Sequence, residues 1–222
     1  MNRATPALSV SGLDVSLSGA SVLRRVSLEV ADGQSVGLVG HNGAGKTTTL
    51  RAVMGLIPSR GRILMRGVPV EAWGPARRAR YGTGYVPEDR RLIATLTVEE
   101  NLRLPAEACG AATGEVEQRL KAICVLLPEL EVLARRPAGV LSGGQQKMVA
   151  LGRALMIGER LLLLDEPFQG LAPAVARRYA ETLASLRRHR PDTAILITES
   201  NPALLVSLVE RVYTIERGEI VP

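Results

Sequence analysis

Only 3% of the 222 residues are aromatic, and the two cysteines stand alone. So few rings argue against a face that reads RNA by stacking bases on Phe or Tyr. Cys109 and Cys124 have no metal-ligand spacing and read as two inert thiols. Long hydrophobic runs are missing as well. Leu161–Leu164 and Ala194–Ile197 are among the longest, far below the roughly 20 residues of a spanning helix. Met1–Val10 lacks the apolar core and cleavage pattern of a secretory signal. The chain is therefore expected to stay in the cytoplasm and to reach a membrane only through a partner. Lysine is scarce too: Lys46, Lys121 and Lys147 are the only ones among 28 basic residues, the other 25 being arginine.

What is present is an ordinary globular composition, 46% hydrophobic and 23% charged, long enough for one domain with a sizeable core. A net charge of +6 favours anionic partners: nucleotide, nucleic acid or an acidic membrane surface. The basic pairs (Arg24-Arg25, Arg77-Arg78, Arg135-Arg136, Arg187-Arg188 and others) are scattered rather than gathered into a nucleic-acid stripe, and read mostly as solvated faces.

Val10–Leu17 and Arg25–Val30 alternate as strands, and Ala31-Asp32-Gly33 is a turn signal. Ser35–Val39 is a short apolar run before a glycine-rich loop, with a helix expected from Lys46 to Leu56 and further short strands at Gly61–Met65 and after Gly67. From about Glu88 to Leu141 strand signals are scarce, and Glu99–Leu104 and Glu115–Leu127 have helical spacing. Helix Gln145–Ile157, strand Leu161–Leu164, helix Val175–His189, strand Ala194–Thr198, a short helix Pro202–Val209 and a strand near Val212–Ile215 complete the chain. This alternation predicts a mostly parallel sheet covered on both faces.

Gly40-His41-Asn42-Gly43-Ala44-Gly45-Lys46-Thr47 fits the phosphate-loop pattern, with an apolar strand before it and a helix after it, and Thr48 follows on that helix. Glycines let successive N–H groups turn toward phosphates, and the helix N-terminus adds partial positive charge. Lys46 is placed to reach the β- and γ-phosphates and Thr47 to offer its hydroxyl to Mg²⁺. His41 is filler in this pattern and reads as a solvated loop residue. Leu161–Leu164 then ends in Asp165-Glu166. A buried parallel strand delivers its last side chains to the carboxyl edge of the sheet, where ligands bind. That puts Asp165 in the Mg²⁺ shell and Glu166 at the water that attacks the γ-phosphate.

Leu141-Ser142-Gly143-Gly144-Gln145 precedes a helix, and Ser142 is a good N-cap. Lying after the phosphate loop and about twenty residues before Asp165, this segment completes a set that resembles the ATP-binding cassette ATPases over nearly the whole chain. The resemblance implies an α/β fold: a phosphate-loop NTPase (RecA-like) core with an antiparallel β-subdomain and an inserted helical subdomain. Residues 1–222 would form one cassette, with the core and β-subdomain at about 1–87 and 151–222 and the helical part with the signature at about 88–150. It also implies that two cassettes face each other head to tail. Leu141 to Gln145 of one would then close over the ATP held by the other, and the pair would pull on transmembrane permease subunits.

A finer resemblance, carried by Tyr85 to Arg91, Leu96 to Leu102, Asp165-Glu166-Pro167 and Gly170 to Pro173, is to the ATPases of branched-chain amino-acid importers. Urea and amide importers share much of the pattern. It implies ATP and Mg²⁺ as cofactors, a peripheral place on the cytoplasmic face of the inner membrane, and a solute-binding protein as an indirect partner. It also implies Glu88 as a Mg²⁺ or water ligand in the γ-phosphate-sensing loop. Arg90 and Arg91 would lie where a cytoplasmic helix of the permease docks. Two places depart from the family. Its adenine-stacking aromatic is absent near Leu17, which is left as an apolar adenine contact. Its switch histidine is replaced by either Ser200 or Glu199. A cassette that binds ATP while its partner hydrolyses is the alternative these departures suggest. A soluble cassette acting on nucleic acid fits less well, since it usually carries two fused cassettes or a coiled coil, and no nucleic acid is expected. Trp73 is read as packing.

Overall fold

In the computed structural model, which describes residues 5–221, two sheets and seven helices contain the expected elements in order, except the last short helix, together with four that were not expected. The first four residues of the Met1–Val10 stretch, and Pro222, lie outside the described residues. Strands β1 (Leu8–Leu17), β2 (Ala20–Val30), β4 (Arg60–Met65) and β5 (Val68–Pro69) form an antiparallel sheet in the order β2-β1-β4-β5. Its first hairpin turns on Ser18-Gly19, both with positive φ, as a two-residue turn between right-twisted strands requires. Because that turn is so tight, β2 begins at Ala20, five residues before the predicted Arg25.

The second sheet contains β3 (Ser35–Val39), β6 (Thr83–Val86), β7 (Leu161–Asp165), β8 (Ala194–Glu199), β9 (Arg211–Glu216) and β10 (Glu219–Val221). Its order is β10-β9-β3-β8-β7-β6, parallel except for the β10–β9 hairpin. Every residue of β3, β7 and β8 is buried, which is why these segments read as continuous apolar runs. Helices α1 (Lys46–Val53) and α2 (Pro75–Arg80) pack near the antiparallel sheet. Helices α3 (Val98–Ala108), α4 (Thr113–Leu126), α5 (Glu129–Leu133), α6 (Gly143–Leu155) and α7 (Pro173–His189) gather on the other side. α3 opens with a capping box between Thr97 and Glu100, and α7 opens on Pro173 and closes on Arg187, Arg188 and His189. These are favourable ends for a helix dipole and its unpaired backbone groups. No helix among the described residues is long and apolar enough to cross a membrane.

Several local features differ from expectation. Strands β6 and β10 and helices α2 and α5 are short elements outside the expected set: β6 is four residues long and holds Gly84, whose missing Cβ makes room for the Ala154 carbonyl of α6. The helix expected over Pro202–Val209 is only a 3₁₀ turn at Pro202–Leu204, followed by turns. Leu204, Leu205 and Leu208 each donate to the carbonyl three residues back, and one i→i+4 bond, Val209 to Leu205, follows, so the segment is mostly 3₁₀ turns with no continuing α-helix.

Arg78 is a structural hub that periodicity does not show. It is 2% exposed, and its guanidinium donates to the carbonyls of Ala52, Val53, Val70 and Trp73. It thereby ties the end of α1 to the β5–α2 connection. Trp73 packs edge-on against Tyr81 with Arg77 over its ring. Arg78→Ala strands buried carbonyls, each unmade bond costing about 1–3 kcal/mol. The expected result is a loss of about 3 kcal/mol, a fall in Tm of roughly 6–12 °C for a chain of this size. An unchanged thermal melt would remove Arg78 from this role.

Candidate functional site

The phosphate loop runs from the end of β3 into α1. Its shape depends on two glycines with φ of 81° and 115°, Gly43 and Gly45, a region that side chains disfavour. Gly40 must also be bare, since a Cβ there would meet the Ile215 carbonyl of β9. Lys46 opens α1 and is 4% exposed. Its ammonium donates to the carbonyls of Gly40 (2.6 Å) and His41 (3.0 Å) and ion-pairs with Glu166 Oε1 at 3.0 Å. His41 itself is exposed, as a solvated loop residue would be.

Asp165 closes β7 at 1% exposure. Its carboxylate accepts from Thr47 Oγ1 (3.0 Å), Thr198 Oγ1 (2.8 Å) and Tyr85 OH (3.2 Å). Burial pushes its pKa up, and these three hydroxyls act against the rise by stabilising the charged form. Glu166 comes next, with φ of +43°. Non-glycine residues rarely adopt this conformation, and it persists only where surroundings enforce it. Here they do: Glu166 N–H donates to both the carbonyl and the hydroxyl of Thr198, and the Glu166 carbonyl accepts from Lys147.

Of the two switch candidates, Ser200 faces the site. Its Oγ lies 3.1 Å from Glu166 Oε1 and 3.0 Å from Asn42 Oδ1. Glu199 turns inward, 2% exposed, and accepts from Phe168 N–H at 3.0 Å. Burial raises its pKa.

Lys46, Thr47, Thr48 and Glu166 line a cleft of about 400 Å³ together with the loop residues Asn42, Gly43 and Gly45. Exposed Glu88 stands at its wall. Val22 of β2 lines it too, whereas Leu17, 39% exposed beside the hairpin turn, does not. The loop after Glu88 is fastened to α6: Arg90 donates to Gln146, and Arg153 donates to the Arg90 and Arg91 carbonyls.

The signature residues lie elsewhere. Ser142 caps α6 through Gln145 N–H, and the Gln145 side chain returns a bond to Ser142 N–H. Leu141 is buried behind the cap, and Gly144 lets Val175 of α7 approach. Ser142, Gly143, Gly144 and Gln145 line a second, larger cavity of about 760 Å³, mostly apolar, walled by α5, α7 and Gly170–Ala172. The smaller cleft holds Lys46 and the phosphate-loop backbone and is the one suited to phosphate, whereas the charged residues of the larger cavity, Glu129 and Arg178, pair with each other. No signature residue lines it within this chain.

Tyr85, Thr198 and Lys147 were not singled out from sequence. Thr198 had a signal, as a polar residue ending an apolar strand. Lys147 had another, as one of three lysines in an arginine-rich chain.

A family model described as ABC transporter matches residues 23–169. The high-affinity branched-chain amino acid transport ATP-binding protein BraG of Pseudomonas aeruginosa is 37% identical, across 90% of this chain and 84% of that one. The lipopolysaccharide export system ATP-binding protein LptB of Acidithiobacillus ferridurans is 35% identical, across 90% and 82%. Among solved structures, the ADP conformation of MJ1267, an ATP-binding cassette of an ABC transporter, matches with a TM-score of 0.84 at 27% identity, over 97% of this chain and 89% of that one. With the phosphate loop, the acid pair and the capped signature helix arranged as they are, this chain belongs to the ABC transporter family as one of its ATP-hydrolysing cassettes.

Proposed function

We propose that this cassette powers import of a small polar solute, a branched-chain or other amino acid, from the cytoplasmic face of the inner membrane. A second cassette and two permease subunits would be its direct partners, and a solute-binding protein an indirect one. The observation that carries the pairing is the separation of Ser142-Gly143-Gly144 from the phosphate cleft of the same chain. A nucleotide in that cleft meets a signature only if another chain supplies it. The likeness to BraG supports the amino-acid class, and the likeness to LptB is the reason to test it.

The donor set fits Mg²⁺. Thr47, Asp165 and Glu88 offer oxygen ligands, the kind a hard cation takes. Among the described residues no cluster of three or more His, Cys, Asp or Glu side chains could hold a metal unaided, which suits a cation shared with phosphates. Held by Thr47, Asp165 and Glu88, Mg²⁺ would supply positive charge to offset that of the phosphates. Lys46 leaves the loop carbonyls for the phosphates, and Glu166, freed from Lys46, accepts a proton from the attacking water. Ser200 Oγ, within reach of both Glu166 and Asn42, orients that carboxylate by donating its one proton to it. The Arg90-Arg91 loop is the proposed seat of the permease helix.

The test is ATP hydrolysis by the chain reconstituted with partner cassette and permease. Turnover is expected to need both cassettes and to rise when a binding protein loaded with a branched-chain amino acid is added. Tight ATP binding with all turnover in the partner would make this a regulatory cassette. Stimulation by urea, amides or a lipid instead would overturn the substrate class.

A further inference from the structure

Lys147 and Glu199 are two buried charges outside the phosphate cleft, and neither lines it. The Lys147 ammonium, on α6, donates to the carbonyls of Glu166 (2.9 Å) and Pro167 (3.0 Å). The Glu199 carboxylate, at the end of β8, accepts from the N–H of Phe168 (3.0 Å). The segment 166–168 therefore lies between a cation on its carbonyls and an anion on its amide, and the two charges attract each other across it. Either charge buried alone is costly, so each depends on the other and on the peptide groups between them. The segment needs such a hold, because Glu166 sits in the left-handed region at φ +43° while its carboxylate must stay aimed into the cleft.

We propose that Lys147 and Glu199 form a two-sided clamp on the Glu166–Phe168 backbone. Through it, the position of α6, whose first residues are the signature glycines, sets the aim of the Glu166 carboxylate. Both are positioning residues, and the inference rests on the water-activating role of Glu166. When the start of α6 shifts on engaging a nucleotide, the ammonium shifts with it and drags two carbonyls next to the reacting group.

The test is steady-state ATP hydrolysis by the full chain with its partner cassette, comparing Lys147→Gln, Glu199→Gln and the double variant, with KM and Tm measured alongside. Each single change is expected to lower kcat about tenfold while KM moves less than about threefold, the pattern of a lost transition-state contribution. The double variant is expected within about threefold of the worse single, because coupled partners are non-additive. In a Glu166→Gln background, Lys147→Gln is expected to change the residual rate less than about twofold. A Lys147→Arg control keeps the cation and its donors and is expected to retain at least about a third of kcat. Losses that multiply in the double variant, an undiminished effect in the Glu166→Gln background, or Lys147→Arg as poor as Lys147→Gln would overturn the clamp. Wild-type turnover in Lys147→Gln would also sink the clamp, and the clamp alone. A wild-type chain that binds ATP but never hydrolyses it would sink the reading of Glu166 instead.

Discussion

Glu166→Gln is expected to lower kcat for ATP by about 10²–10⁴-fold, the usual contribution of a positioned general base, while leaving ATP binding intact or tighter. The amide matches the carboxylate in shape, so the left-handed turn, the Thr198 bonds to its N–H and the Lys147 bond to its carbonyl are all retained. What disappears is the proton acceptor. Affinity moves the other way for an electrostatic reason. Glu166 holds the Lys46 ammonium at 3.0 Å and sets a negative charge beside the place for phosphate. Neutralising it releases the lysine and removes that repulsion. Turnover and equilibrium binding of Mg-ATP should therefore separate, kcat falling while Kd stays level or drops. Retention of more than about a tenth of wild-type kcat would take the role from Glu166.

Lys46→Ala is expected to do the opposite to binding. A charge-assisted hydrogen bond is worth about 1.5–3 kcal/mol, so losing the contact to the phosphates raises Kd for ATP by roughly 10–100-fold, with hydrolysis falling too. A second effect acts before any nucleotide arrives. Lys46 and Glu166 are a buried pair, with side chains 3% and 7% exposed, and removing one partner leaves the other charge desolvated at a cost of about 3–5 kcal/mol. The free protein should melt roughly 6 °C lower or more. Adding Glu166→Gln to Lys46→Ala should restore most of that stability without restoring activity. If the double variant melts no higher than Lys46→Ala, the pair contributes nothing to the free fold.

How much of this was legible beforehand depends on the range of the interactions. The phosphate loop, the acid pair and the signature cap are local devices. Their glycines, hydroxyls and carboxylates are spaced by backbone geometry within a few residues, and a sequence displays that spacing directly. Buried strands such as β7 and β8 are legible for a similar reason, since burial on both faces makes every position apolar. Tyr85 reaches Asp165 from a strand 80 residues away, and Thr198 reaches it from 33. Lys147 meets the carbonyls of Glu166 and Pro167 because α6 happens to cross the end of β7. Such contacts are products of tertiary packing, and no periodicity announces them. The choice between Ser200 and Glu199 was closed to counting for the same cause. A residue at a strand end faces the cleft or the core according to the pleat, and here the pleat sends Glu199 inward.

The central sheet also divides the interior in two. Leu162, Leu164, Ile195 and Ile197 join the cluster of α3–α7, while Leu161, Leu163, Ala194 and Leu196 join the cluster under α1 and the antiparallel sheet. Neighbouring residues on one strand thus answer to different packing partners. A volume change on one face calls for compensation among a set of side chains that the other face never meets. Repacking within the helical layer can therefore leave the side chains beneath the phosphate loop undisturbed.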